Sequence, residues 1–115
     1  VTLFWNDDEQ QTVIPFTPDD SWCGYEGIVH GGILTALCDD AMAWSAKKAL
    51  TEWTVTSSMN VRFLRPVKSG QKYTVYGSAS DVEGRKVRTT ARIVGEDGKV
   101  CVDAKATFVA VKTKA

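Results

Sequence analysis

The hydrophobic positions follow two different periods along the chain. From residue 31 to about residue 50, apolar residues fall on every side of a helical projection, which is typical of a buried helix. After the helix the period changes to two, which is typical of β-strands. Four alternating segments, separated by short turns, follow the helix: residues 53–63, 73–81, 86–94 and 100–111.

The chain before the helix predicts two shorter elements. Residues 11–16 are compatible with a strand, and Thr17, Pro18 and Asp20 form a helix-start signature that predicts a short helical turn. The order of the main elements is therefore strand, helix and four strands. Because the helix is the only element that can cover the apolar face of such a sheet, we predict an α+β fold in which an antiparallel sheet wraps one long helix.

The alternation also predicts where individual side chains lie. In the strand at residues 53–63, Trp53, Val55, Met59 and Phe63 are expected to share one face of the sheet. Trp53 and Phe63, together with Trp44 of the helix, are interpreted as core residues because large aromatic side chains bury most of their surface.

Composition and charge exclude several classes of protein. With 115 residues the chain is expected to form a single domain, residues 1–115. Lys plus Arg equals Asp plus Glu at 14 each, so no nucleic-acid partner is expected. No apolar stretch is long enough for a bilayer and the first residues do not resemble a signal peptide, so we expect no membrane partner. The three scattered cysteines predict reduced thiols and a cytoplasmic location, and with one histidine and no CxxC pair no metal is expected.

Two adjacent acids interrupt the apolar helix. Asp40 projects close to Lys47, on a side that is expected to meet solvent or a partner. Asp39 projects onto a face of small and apolar residues, where an unpaired carboxylate is costly. The lone histidine, His30, lies nine residues before Asp39. Asp39 is therefore either a structural acid bonded to backbone amides or a group that takes part in chemistry.

Common catalytic arrangements are absent from the sequence. There is no GxSxG motif for a serine nucleophile and no GK[ST] motif for a phosphate loop. Asp39 beside Cys38 would raise the pKa of that thiol, which argues against a cysteine nucleophile. What remains is a carboxylate that acts as base or nucleophile, together with the free amides of Gly31 and Gly32 at the helix start, which can bind a substrate carbonyl.

Three stretches of the sequence resemble a known family. HGGILTALCD, its continuation DDAMAW, and MNVRFLRPV in the following strand are similar to the hotdog-fold acyl-CoA thioesterases, above all to the PaaI-like branch of the phenylacetic acid pathway. The resemblance covers nearly the whole chain. It implies a hotdog sheet with the strand after the helix at its edge, and metal-free thioester hydrolysis without a separate cofactor. It also implies active sites across the interface of a homodimer, with a dimer of dimers as the alternative.

The resemblance also implies roles for individual residues. By motif position, Asp39 is the catalytic carboxylate, Gly31 is the main oxyanion donor, His30 orients the site, and Thr56 helps to hold the attacking water. Several family members carry Asn or Gln six residues before the histidine, where this chain has Gly24. Either the Gly24 amide or a water supplies that contact, or the geometry of the site differs.

Several alternatives remain open at this point. Four basic residues are candidates for the phosphates of coenzyme A, with a solvated surface as the alternative: Arg62, Arg65, Arg85 and Lys86. One of the three large aromatic residues interpreted as core could instead border an acyl pocket. Two other functions fit the same fold, namely hydroxyacyl dehydration or hydration and non-catalytic binding of acyl-CoA.

Overall fold

One six-stranded antiparallel sheet and one long helix make up most of the computed structural model, which describes residues 1–111. The eight strands are β1 (Phe4–Asn6), β2 (Gln11–Phe16), β3 (Cys23–Tyr25), β4 (Ile28–Val29), β5 (Thr54–Phe63), β6 (Tyr73–Glu83), β7 (Lys86–Gly95) and β8 (Val100–Ala110). The order in the main sheet is β1-β2-β6-β7-β8-β5, while β3 and β4 form a separate hairpin. The predicted α+β arrangement is confirmed.

The helix, α1 (Gly31–Leu50), packs along one face of the sheet against β2, β5, β6, β7 and β8. Its buried residues recur every three or four positions: Leu34, Leu37, Cys38, Ala41, Met42, Ser45 and Ala46. The opposite side, including Ala36 and Trp44, is exposed in the single chain, so the expectation of a helix buried all round is wrong for this side. No helix within residues 1–111 is long and apolar enough to cross a membrane.

A glycine in the sheet allows the helix to approach closely. A Cβ atom at Gly77 of β6 would lie 2.8 Å from the backbone of Ala41, closer than real Cβ contacts allow. Beside it, the Ser45 hydroxyl donates to the Gly77 carbonyl at 3.0 Å and pairs with the Thr12 hydroxyl at 2.9 Å. These bonds satisfy the buried polar atoms where helix and sheet meet.

Most element boundaries agree with the hydrophobic pattern, and the differences lie near the N-terminus. The predicted helical turn is a 3₁₀ helix at Asp20–Trp22, but Asp19 caps it rather than Thr17, because the Asp19 carboxylate accepts the Ser21 N–H. The short β1 strand and the β3–β4 hairpin have no alternating pattern and were not predicted.

The strand after the helix lies at the edge of the sheet, as the resemblance implies. Within residues 1–111, β5 pairs only with β8, so one side of a ten-residue strand keeps unpaired backbone groups in this part of the chain. The other edge is the three-residue β1. A long exposed edge is a surface on which a second chain can add a strand.

Candidate active site

The start of α1 is capped by the only histidine of the chain. His30 has extended backbone geometry, and its Nδ1 accepts the Gly32 N–H at 2.8 Å. Because Nδ1 is an acceptor, the neutral ring carries its proton on Nε2. The His30 carbonyl accepts the N–H groups of Ile33 and Leu34. Among residues 1–111 the Gly31 N–H has no acceptor, so Gly31 rather than Gly32 presents the free donor.

The absence of a side chain at Gly32 is needed for this cap, and Gly31 lies in close contact with a neighbouring ring. A Cβ atom at Gly32 would lie 2.9 Å from His30 Nδ1 and would displace the cap. A Cβ atom at Gly31 would lie 3.3 Å from the ring of Phe63. The helix start is anchored from outside by the His30 N–H, which donates to the Trp22 carbonyl at 2.8 Å.

A cleft of about 510 Å³ opens beside the helix start. Gly24, His30 and Gly31 line it together with the side chain of Arg65. A Cβ atom at Gly24 would lie 3.3 Å from His30 Cδ2, so any side chain at this position would run along the imidazole ring. The other eight lining residues are apolar or aromatic, and five of them are exposed: Tyr25, Ile28, Phe63, Leu64 and Pro66. Tyr25 and Leu64 were not predicted, because Tyr25 lies in a three-residue strand without an alternating pattern and Leu64 follows the end of β5.

Asp39 lies near the middle of α1 and is bonded to the sheet. The Thr56 hydroxyl donates to Asp39 Oδ1 at 2.8 Å. Asp39 is partly buried, whereas the neighbouring Asp40 is exposed. Although most of Asp40 is exposed, the surrounding protein removes part of the hydration of its carboxyl group, and this desolvation, with the charge of Asp39 as the second cause, raises the pKa of Asp40 above its ordinary value. The two acids therefore occupy different surroundings, and Thr56 bonds to Asp39.

A β-bulge explains why Thr56 points at the helix. Thr56 is opposite Phe108 in β8, but Ser58 is opposite Thr107, so Ser57 is an extra residue in β5. Before the bulge Thr56 faces the helix with buried Phe108, and after it Met59 faces the helix. The expectation that Val55 and Met59 share a face is therefore wrong, because the extra residue reverses the alternation.

One chain does not bring all the candidate residues together. Gly24, His30 and Gly31 share the cleft, and Asp39 pairs with Thr56, but Asp39 does not line the cleft. Asp39 follows Gly31 by eight residues, a separation of about 12 Å along the helix at ~1.5 Å per residue. The free amide and the carboxylate are thus in separate places within one subunit.

The basic residues are dispersed over the molecule. Arg65 lines the cleft, whereas Arg62 lies on the outer face of the sheet and forms an ion pair with Asp103. Hydrogen bonding to Arg62 lowers the pKa of the Asp103 carboxyl group. Arg85 and Lys86 lie at the β6–β7 turn, near the opposite end of β5, and Arg85 donates to the Ala110 carbonyl at 2.6 Å. Of the four, only Arg65 adjoins the cleft of its own chain.

The three large aromatic residues interpreted as core are exposed instead. Trp44, Trp53 and Phe63 expose 42%, 59% and 55% of their surface in the single chain. The core interpretation is therefore wrong, because these residues lie on the open side of the helix and along the β5 edge, which the sheet does not cover. Phe63 borders the cleft, which agrees with the alternative of a pocket-lining role.

The structure also supports the exclusion of a cysteine nucleophile. Cys38 is completely buried, and burial, with the charges of Asp103 and Asp39, raises its pKa to about 12. A thiol with this pKa is protonated at neutral pH and is a poor nucleophile.

Comparison with known proteins points to one family. A sequence model of the thioesterase superfamily matches residues 26–102. An uncharacterised protein of Schizosaccharomyces pombe is 29% identical over 103 residues, which are 85% of this chain and 59% of that protein. Acyl-coenzyme A thioesterase THEM4 of Bos taurus is 28% identical over 97 residues, which are 84% of this chain and 39% of THEM4. The chain thus spans about half the length of these curated relatives.

Solved structures are similar in fold. The PaaI protein of the phenylacetic acid degradation operon of E. coli superimposes with a TM-score of 0.84 at 20% identity. The superposition covers 91% of this chain and 75% of PaaI. The hotdog fold that the family resemblance implied is confirmed.

Proposed function

Because the chain belongs to the thioesterase superfamily, we propose that it hydrolyses an acyl-CoA thioester to a free acid and coenzyme A. The observation that carries the proposal is that α1 presents a backbone donor at its start and a held carboxylate in its middle. The Gly31 N–H is free at the positive end of the helix, and Thr56 holds the Asp39 carboxylate in the middle. The name of the bovine relative, an acyl-coenzyme A thioesterase, supports coenzyme A as the thiol.

In the proposed reaction the Gly31 N–H binds the thioester carbonyl oxygen and stabilises the negative charge that develops on it. Asp39 acts in one of two ways. As a base it takes a proton from a water molecule whose oxygen attacks the carbonyl carbon, and as a nucleophile it attacks that carbon itself. In the first case the tetrahedral intermediate collapses, the carbon–sulfur bond breaks, and the thiolate leaves with the electron pair and takes up the proton that Asp39 removed from the water. In the second case the carbon–sulfur bond breaks in the same way and leaves a mixed anhydride with Asp39, which a water molecule then hydrolyses to release the free acid and restore the carboxylate. Thr56 orients the Asp39 carboxylate in both cases.

We further propose that each site is shared by two subunits. Attack requires the reacting atoms to come within ~3–3.5 Å, which one helix cannot arrange for groups about 12 Å apart along its axis. If two α1 helices run antiparallel across a two-fold axis, Gly31 of the partner subunit lies beside Asp39. The unpaired β5 edge and exposed side chains such as Trp53, Val55 and Phe63 supply a surface for such a dimer.

Other parts of the proposal remain predictions. A dimer of dimers is the alternative assembly. The sequence predicts a cytoplasmic location and no cofactor. Cell fractionation tests the location, and activity measured after chelation tests the prediction that no metal is needed. Gly24 favours the second candidate function, non-catalytic binding of acyl-CoA, because glycine offers no side-chain amide to the thioester.

A panel of acyl-CoA substrates with a thiol-detecting reagent tests the proposed function. We expect release of free coenzyme A that depends on Asp39. Binding of an acyl-CoA without thiol release would support the binding module instead. Crotonyl-CoA, followed by the loss of its double-bond absorbance, tests the hydratase alternative, and hydration of this substrate without hydrolysis would contradict thioesterase activity.

A further inference from the structure

Two exposed tryptophans and a lysine form a cluster at the C-terminal end of α1. Lys47 Nζ lies 4.1 Å from the centre of the Trp53 ring and 5.5 Å from that of Trp44. We call Trp44, Lys47 and Trp53 the Trp–Lys wall. A depression of about 330 Å³ opens beside it, lined by Trp44, Lys47, Lys48 and Thr51.

The Trp–Lys wall is close in sequence to Asp39 on the helix and to Thr56 on β5. Trp44 follows Asp39 by five residues on the helix, and Trp53 precedes Thr56 by three residues at the start of β5. The wall lies on the side of Asp39 away from its own Gly31. Lys47 follows Asp39 by eight residues, about 12 Å along the axis, and its long side chain leans back toward the helix N-terminus.

The ammonium group of Lys47 has no anionic partner among residues 1–111. Asp40 lies two turns earlier on the same side of the helix, and Glu52 precedes Trp53, but neither forms an ion pair with Lys47. Lys47 is partly buried, and its ammonium group has three N–H donors. The indole faces attract the positive charge but do not accept these N–H groups as an oxygen atom would. The position can therefore accept a carboxylate.

We propose that the Trp–Lys wall binds the far end of the acyl group and that Lys47 selects acyl groups ending in a carboxylate. The indole rings suit the methylene groups of such a chain, and the ammonium group suits its terminal charge. A plain hydrocarbon chain would form no favourable polar contact with the Lys47 ammonium group. Its binding would also remove part of the water that hydrates this group. This inference rests on the proposed function, because it takes Asp39 as the position of the thioester.

The experiment compares glutaryl-CoA with pentanoyl-CoA, whose acyl chains have five carbons and differ in the terminal carboxylate. We expect kcat/KM to be higher for glutaryl-CoA. Lys47→Met keeps most of the side-chain stem and should reduce this preference by roughly 10- to 100-fold, the factor expected for a hydrogen bond to a charged group. Lys47→Arg should retain most of the preference.

Lys105→Met is the matched control, since it removes the same charge from an exposed lysine on the outer face of β8, where the neighbouring Ala104 and Ala106 are buried. This change should leave the glutaryl-to-pentanoyl ratio nearly unchanged. A loss of thermal stability in Lys47→Met without a change in this ratio would overturn the inference and leave Lys47 as a purely structural contact of the two indoles.

Failure of the proposed function would be recognised separately. If neither thioester is hydrolysed, calorimetric binding of the same two compounds to the unmodified protein and to Lys47→Met decides the inference. Tighter binding of glutaryl-CoA that Lys47→Met abolishes would support it. Equal binding of both compounds to the unmodified protein, or a preference that survives in Lys47→Met, would overturn it.

Discussion

The start and the middle of α1 provide the two halves of the proposed site by different kinds of contact. At the start, His30 and Gly32 are two residues apart, and the cap is closed by a bond between an imidazole and a backbone amide. In the middle, Thr56 reaches Asp39 across 17 residues and from a different element. Local chain geometry fixes the first half, whereas the register of β5 on β8 fixes the second.

This difference predicts how each half responds to change. The helix start depends on the absence of side chains at Gly31 and Gly32, so almost any replacement there alters the free amide. The Asp39–Thr56 pair depends on an extra residue in β5, so a change of strand register would turn Thr56 away while the helix stays intact.

The largest effect is expected at Asp39. Asp39→Asn is nearly isosteric but cannot act as a base or nucleophile, so kcat should fall by about a hundredfold or more. The amide oxygen can still accept the Thr56 hydroxyl, so circular dichroism and the melting temperature should change little. Retention of most thioester hydrolysis by a folded Asp39→Asn protein would remove the helix middle from the proposed site.

The next prediction tests whether the two halves belong to different subunits. Gly31→Leu should reduce kcat by about a hundredfold, because the new side chain meets Phe63 and displaces the oxyanion donor. Subunits that carry only this change are then mixed with subunits that carry only Asp39→Asn. If the site is shared, each heterodimer contains one intact site and one doubly altered site, and random mixing should restore roughly a quarter of the unmodified activity.

Static light scattering checks that these subunits form dimers, and differently tagged chains confirm that heterodimers are present. The two variants kept as separate homodimers are the control, since neither should regain activity. Persistent inactivity of a mixture with proven heterodimers would contradict the shared site, as would a stable monomer that is fully active.

A smaller effect is expected at Thr56, which tests the contact between helix and sheet. Thr56→Val keeps the shape of the side chain but removes the hydrogen bond to Asp39, so kcat should fall by about tenfold. Thr56→Ser should recover most of this loss. Ser58→Ala, on an exposed neighbour beyond the bulge, is the matched control. Equal rates for the Val and Ser variants would show that the Thr56 hydroxyl does not serve the reaction.

The helix start could be predicted from sequence because its determinants are adjacent. Two glycines before an apolar helix predict unpaired amides at its start, and α1 begins at Gly31 as expected. The capping role of His30 was not predicted, and it leaves Gly31 rather than Gly32 with the free amide among residues 1–111. The α+β architecture was also predictable, because one helix and a set of alternating strands leave few ways to bury the apolar faces.

The orientation of Thr56 could not be predicted from alternation. The stretch from Thr54 to Ser58 contains no glycine or proline to indicate a bulge, and the extra residue is visible only when β5 is paired with β8. Thr56 entered the prediction through the family resemblance instead. The exposure of Trp44 and Trp53 was missed for a related reason, since composition does not show which side of a helix or which strand edge the sheet leaves open.

The smallest effect is expected at Asp40, the acid that adjoins Asp39 but does not pair with Thr56. Asp40→Asn should leave kcat nearly unchanged and should raise the melting temperature slightly at pH 7.

The pKa of Asp40 is raised in the folded chain, by partial burial and then by the charge of Asp39, so the folded state binds its proton more tightly than the unfolded state does. The contribution of Asp40 to stability is therefore fully present below the unfolded pKa of about 3.8 and is lost as the pH rises through the folded pKa. The stabilisation by Asp40→Asn should accordingly be larger at pH 7 than at pH 3 in thermal unfolding, and it should shrink when Asp39→Asn is already present. A loss of activity as large as that of Asp39→Asn would mean that the two acids share the chemistry, and that the contact between Thr56 and Asp39 does not distinguish them.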